Sequence, residues 1–209
     1  MSRCALVAAV DFNADHFRSL DAKGSFDMVI AVDRGLRHLQ AINREPDLIV
    51  GDFDSLGYLP QGEKVRSFSS HKDESDLELG LNYAQEAGCG ETYVYGALSA
   101  RLDHTIAVLQ TCAYFSEAGM HLTCVGDSFA VRLLTGPASF TIAQGTQGIV
   151  SVFSANDCAR GVSEEGLAYT VNDIDLKNRR SRGLSNELIG KKATISVREG
   201  TLYIFYPLA

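Results

Sequence analysis

The hydrophobic pattern changes period once along the chain, and that change constrains the fold more than any other feature. Up to about residue 126, short β-branched or aromatic runs alternate with stretches at helical spacing. The runs are ALVAAV (5–10), MVIAV (28–32), DLIV (47–50), ETYVYG (91–96) and HLTCVG (121–126). Continuous apolar runs of this length suit strands covered on both faces. Between them, Leu77, Leu81, Ala84 and Gly88 recur at helical intervals, as do Ile106, Leu109 and Ala113. Strand and helix in alternation predict an α/β domain over residues 1–126, with a mostly parallel, Rossmann-like sheet. Beyond residue 127 the helical signal fades. FAVRLL, SFTIA, GIVSVFS, GLAYTV, KATISV and TLYIFY read as short strands, and REGT (198–201) reads as a tight hairpin between the last two. Residues 127–209 are therefore expected to form an all-β sandwich or barrel.

Composition narrows the choice of partners. The net charge is −7 and no segment gathers an excess of Lys and Arg, so the chain lacks the footprint of a nucleic-acid binder. The N-terminal run CALVAAV meets Asp11 at once and is too short to span a membrane. Cys4, Cys89, Cys112, Cys124 and Cys158 form no C-x-x-C pair. Most lie in apolar runs, where a reduced cysteine packs as a small hydrophobe, and this favours a reducing cytoplasm.

The acidic residues gather at the ends of the predicted strands. LIVGDFDSL (48–56) runs from a buried strand straight into Asp52 and Asp54. In extended backbone, side chains at i and i+2 share one side. Paired carboxylates raise one another's pKa unless a cation lies between them, and hard oxygen ligands at this spacing suit Mg²⁺. Open α/β sheets place ligands beyond the carboxyl ends of their strands, where these aspartates fall. In KDESD (72–76), Asp73 and Asp76 open a predicted helix over 75–88, with Asp73 a candidate N-cap and Asp76 a candidate third metal ligand. ALSARLDH (97–104) offers Arg101 as a phosphate clamp and Asp103 to orient a hydroxyl or cap a helix, while His104 reads as structural. Asp33 ends the strand MVIAV. Each of these taken alone is also an ordinary turn or cap residue. Together they describe an acidic rim that would repel a polyphosphate unless bound Mg²⁺ reversed its sign.

VDRGL, PDLIVGDFDSL, KDESDLELGL, GALSARLDH and RGLSNEL occur in the order and spacing of the thiamine pyrophosphokinase family, and the chain resembles that family over nearly its whole length. The resemblance implies transfer of a pyrophosphoryl group from ATP to the hydroxyl of thiamine, giving thiamine diphosphate and AMP. It implies an N-terminal nucleotide- and metal-binding domain, a C-terminal thiamine-binding domain, and a homodimer with thiamine near the subunit interface. By the same resemblance Asp52, Asp54 and Asp76 would hold Mg²⁺, and Asp33, Lys72, Asp73 and Arg101 would surround ATP. Asp103 would lie near the reacting hydroxyl, and Ser185 and Asn186 would contact the thiamine pyrimidine. Read without the resemblance, residues 183–187 are a turn between strands.

Two positions depart from the family pattern. Ser99 and Ala100 stand where family members commonly have two glycines before the arginine, and Arg34 and Leu36 flank Gly35 where Asp-Gly-Gly-Ala is common. Glycine admits positive φ and close approach of backbone to phosphate, which serine and alanine restrict. These departures leave open a related pyrophosphokinase acting on another alcohol. A non-catalytic sensor of thiamine diphosphate or a nucleotide is the other alternative, although a binder has little need of the full acidic set.

Overall fold

The apolar runs of the first half become parallel strands. The computed structural model describes residues 2–54, 56–68 and 74–208. In chain order they form β1 (Ser2–Val7), α1 (Ala14–Asp21), β2 (Met28–Val32), α2 (Gly35–Ala41), β3 (Leu48–Gly51), β4 (Val65–Ser67), α3 (Asp76–Glu86), β5 (Cys89–Tyr95), α4 (Leu102–Glu117) and β6 (His121–Val125). The remaining strands are β7 (Phe129–Thr135), β8 (Ala138–Ile142), β9 (Gln147–Ser154), β10 (Cys158–Glu165), β11 (Val171–Lys177), β12 (Asn186–Ile189), β13 (Ala193–Val197) and β14 (Thr201–Pro207). The chain divides into two compact units, residues 1–111 with 124–127 and residues 112–123 with 128–209. The first is mixed α/β and the second is rich in β-strand.

In the first unit the strand order β5-β1-β2-β3-β4 is parallel throughout. Leu6, Ile30, Val50 and Val94 are fully buried, as two-sided coverage requires. Helix α3 buries Leu77, Gly80, Leu81 and Ala84, so most of the apolar repeat read from the sequence is the buried seam. Gly88 does not belong to it, because the helix ends at Glu86 and Ala87 is its C-cap. The start also differs from expectation. Ser75, not Asp73, is the N-cap, its hydroxyl accepting the Glu78 N–H at 3.2 Å. In α4 the buried residues include Val108, Cys112 and Phe115, whereas Ile106, expected inside, is exposed. Apolar residues fall on more than one face of α4, which gives its seam little contrast, and the choice between neighbouring stripes falls to tertiary packing.

The second unit holds two antiparallel arrays, β12-β9-β14-β7 and β11-β10-β13-β8. Val152, Leu202 and Ile204 from the first share one core with Val162, Leu176 and Ile195 from the second. REGT is not a hairpin, since β13 and β14 belong to different arrays. The connection is held to β10 instead, where the Arg160 N–H donates to the Glu199 carbonyl at 2.8 Å and the Arg198 N–H to the Arg160 carbonyl at 3.1 Å. GLAYTV is likewise mostly connection. Residues 166–170 join β10 to β11, with Leu167 bridged to Leu188.

The cysteines divide. Cys112 and Cys124 are buried free thiols and Cys158 is a half-buried one. Cys4 and Cys89, buried on neighbouring strands β1 and β5, are joined in a disulfide. The expectation of reduced thiols fails for that pair. Their sequence separation of 85 residues hid a proximity that only the strand order creates. Among the described residues, no helix is long and apolar enough to cross a membrane.

Candidate functional site

The acidic site forms where β2 and β3 end. Asp33 follows β2 in a left-handed conformation, φ 48°, with its N–H donating to the Val50 carbonyl at 2.8 Å. Its own carbonyl accepts the Leu36 N–H at 3.2 Å, so the aspartate turns directly into α2. The turn depends on Gly35. A Cβ there would stand 1.9 Å from the Val7 carbonyl oxygen, so the helix can approach the end of β1 only without a side chain.

Asp52 and Asp54 come together by a route other than extended geometry. Phe53 between them is left-handed, φ 61°, and its ring is buried, as is Leu56. The two apolar side chains anchor the loop inward. The Asp54 N–H donates to Asp52 Oδ1 at 3.2 Å, and the Arg37 guanidinium donates to the Leu56 carbonyl at 2.6 Å. A bulky residue at positive φ costs about 1–3 kcal/mol and persists only where its surroundings fix it. Here burial and the side chain-to-backbone turn do so.

The result is a cluster that can be tested for fit to a cation. Asp33, Asp52 and Asp54 each offer a carboxylate oxygen, all within 4.8 Å of one another. Asp33 and Asp52 are half-buried and Asp54 is exposed. Clustered carboxylates of this kind fit a hard divalent ion, which takes oxygen ligands and completes its shell with water or phosphate. Asp33 thus joins the pair, although the sequence suggested it for the nucleotide. Asp76, the first residue of α3, lines a cavity of about 380 Å³ together with Asp33 and Asp52. Glu74, Ala97 and His104 line it too. Lys72 and Asp73 lie outside the described residues.

Arg101 and Asp103 are spent on each other. The Arg101 guanidinium donates to both carboxylate oxygens, at 3.3 and 2.7 Å, and both side chains are exposed. That pairing, helped by the His104 N–H, holds the Asp103 carboxyl down at about 2. The preceding loop has its own internal support. Ser99 Oγ accepts the Arg101 N–H at 3.2 Å, and the Ser99 N–H donates to Thr105 Oγ1 at 3.1 Å. Neither Ser99 nor Ala100 has a positive φ, so a hydroxyl does what glycine could not. Arg34 is the exposed N-cap position of α2 and makes no side-chain cap bond.

A second site lies in the other unit. Gly183 has φ 98°, and a Cβ there would stand 2.1 Å from the Val152 carbonyl oxygen, so the loop lies hard against β9. Ser185 is also left-handed, φ 60°, with its N–H donating to Ser151 Oγ at 3.0 Å. Asn186 opens β12, and its amide is fully used within the fold. Nδ2 donates to Glu164 Oε2 and to the Tyr169 carbonyl, both at 2.8 Å. Oδ1 accepts the Tyr169 N–H at 3.0 Å and the Glu187 N–H at 2.9 Å. An amide side chain has no further strong hydrogen bond to offer. Ser185, Asn186, Tyr169, Leu184 and Glu164 line a cavity of about 260 Å³. Glu164 escaped the sequence reading because β10 itself was not recognised. The available signal was a carboxylate two residues after Val162, on the same inward face of the strand.

Comparison with known proteins covers both units. Residues 21–124 match the family model described as thiamin pyrophosphokinase, catalytic domain, and residues 139–202 match thiamin pyrophosphokinase, vitamin B1 binding domain. The thiamine pyrophosphokinase of Bacillus subtilis (strain 168) is 22% identical over 180 residues, spanning 83% of this chain and 84% of that protein. In structure the chain is similar to thiamine pyrophosphokinase from Bacillus subtilis, with a TM-score of 0.79, 20% identity and full coverage of both chains. It is also similar to thiamin pyrophosphokinase from Candida albicans, with a TM-score of 0.77 and 14% identity over 99% of this chain and 90% of that one. The two family models meet the chain in succession, one over the acidic strand ends and one over the cavity beside Ser185, and the chain belongs to the thiamine pyrophosphokinase family.

Proposed function

We propose that this protein transfers the pyrophosphoryl group of ATP to the hydroxyl of thiamine, forming thiamine diphosphate and AMP. The observation that carries the reading is the convergence of Asp33, Asp52 and Asp54 from two strand ends to within 4.8 Å, beside a cavity also lined by Asp76. The parallel order of the first unit supports a Rossmann-like nucleotide domain, with ligands beyond the carboxyl ends of the strands. The shared core of the two antiparallel arrays supports a sandwich that takes thiamine. We assign residues 1–126 and 127–209 to these two roles.

Asp52, Asp54 and Asp76, with Asp33 beside them, would hold Mg²⁺. When bound, the ion neutralises phosphate charge and stabilises the charge that develops during transfer. The chain's own residues do the positioning. Arg101 has donors to turn from Asp103 to a phosphate, and Lys72 and Asp73 complete the nucleotide surroundings by family resemblance. Asp103, a carboxylate ionised at neutral pH with or without its pairing to Arg101, is a weak base, so its contribution is to accept the hydroxyl hydrogen bond and hold the nucleophile in line. Ser185 meets the pyrimidine, and Asn186 shapes the wall behind it. Leu102 and Ile106 on α4, with Leu184 and Tyr169 beside the second cavity, are exposed apolar side chains that suit a homodimer. A cytoplasmic protein meets both substrates in solution.

Incubation with ATP, Mg²⁺ and thiamine is expected to give AMP and thiamine diphosphate in equal amounts. Asp52→Asn and Asp54→Asn are each expected to lower kcat at least about a hundredfold with the circular dichroism spectrum retained. AMP formed with an acceptor other than thiamine would identify a related kinase. Tight thiamine diphosphate binding without turnover would identify a sensor, and near-normal turnover in both variants would remove the metal assignment.

A further inference from the structure

Position 164 breaks the rule of its own strand. Val162 and Glu164 point the same way from β10, and Val162 belongs to the apolar core. Glu164 is only 2% exposed, yet it carries a carboxyl group. One oxygen, Oε2, accepts from Asn186 Nδ2 at 2.8 Å. No described residue donates to Oε1, and no described cation lies within ion-pair distance of the group. The residue is buried, yet Oε1 is not among the enclosed, unpartnered oxygens of the described residues, so it keeps an opening through which a donor can reach it. Glu164 also lines the 260 Å³ cavity with Tyr169, Leu184, Ser185 and Asn186.

Asn186 fixes the direction of that unused oxygen. Its amide is held by four hydrogen bonds, so the donor that fastens Oε2 cannot rotate away. Val171, Ile174 and Leu176 make much of the remaining wall apolar, and the exposed Arg182 lines it as well. Such a wall suits the flat face of a heteroaromatic ring and leaves recognition of the ring's edge to a few polar groups.

We propose that Glu164 is the specificity residue of this cavity, its Oε1 accepting a hydrogen bond from the exocyclic amine of the aminopyrimidine ring of thiamine. The inference rests on thiamine being the substrate. Burial pushes the Glu164 carboxyl up, and only partly does the Asn186 bond bring it back. A ligand that brings an N–H donor and a cationic thiazolium offsets that cost and favours the ionised form. A site built around a buried acceptor discriminates strongly against a ligand that lacks the matching donor.

The test compares thiamine with its analogue in which the exocyclic amine is replaced by an oxo group. Wild type is expected to prefer thiamine in kcat/KM by at least about tenfold. Glu164→Gln turns an acceptor into a donor without changing shape. It is expected to raise KM for thiamine about tenfold, leave KM for ATP unchanged, and abolish or reverse the preference. The preference is a ratio within one preparation, so a reduced folded fraction does not alter it. A purely structural Glu164 would lower the melting temperature and leave the ratio as in wild type, which overturns the inference while the kinase assignment stands. If wild type forms no thiamine diphosphate, the kinase assignment fails separately. Calorimetric titration of both ligands into both proteins then decides: loss of the preference in E164Q supports the role, and equal preference or no thiamine binding overturns it.

Discussion

Arg101 and Asp103 illustrate how a residue's chemistry depends on its neighbour. The guanidinium beside it holds the Asp103 carboxyl at about 2, below its ordinary 3.8. Because the folded value is depressed, any stabilisation from the pair is present above the ordinary value and is lost as pH falls through about 2. Both side chains are exposed, so solvent screens that contribution. Arg101→Ala is expected to return the carboxyl towards 3.8 in a carbon-13 NMR titration, with the melting temperature at neutral pH unchanged. A titration that stays near 2 would mean that the arginine is not the cause. At this scale the sequence was informative about identity more than geometry. The proximity of Asp52 and Asp54 was legible, but its mechanism was not, because positive φ at a phenylalanine follows from burial of its ring. Glu164 was hard to read for a similar reason. Which of the adjacent Glu164 and Glu165 faces the core is decided by pairing register.

Elements were legible where local signals and tertiary demands agreed. MVIAV became β2 without adjustment, and Leu77, Leu81 and Ala84 formed the seam of α3. They were hidden where distant partners decide, as in β4, whose three residues are a strand because Gly51 and its neighbours pair with them. Helix α2 shows how tightly one element can constrain another. Its first residue, Gly35, leaves no room for a Cβ beside the Val7 carbonyl. Gly35→Ala is therefore expected to cost about 3 kcal/mol by overpacking, read as a lower urea midpoint, and to displace Asp33 from the acidic cluster. A midpoint within error of wild type would show that β1 and α2 separate easily.

For the whole molecule, the change from mixed α/β to β-rich structure was legible because the two periodicities differ. The partnership of strands was not, since short β-runs look alike until topology chooses among them. REGT read as a hairpin for that reason. The same long-range ordering brings Cys4 to Cys89. Alkylation of the denatured protein without reductant is expected to modify the three remaining thiols, Cys112, Cys124 and Cys158, and all five after reduction. Five modified cysteines before reduction would show that the pair is open in the purified protein. Strand β14 lies between β7 and β9, although β9 precedes it by more than forty residues. During synthesis, therefore, both neighbours emerge from the ribosome with their inner backbone edges exposed and must wait for residues 201–207 before they can close. Until then, sticky strand edges of this kind would be the ones a holding chaperone must shield.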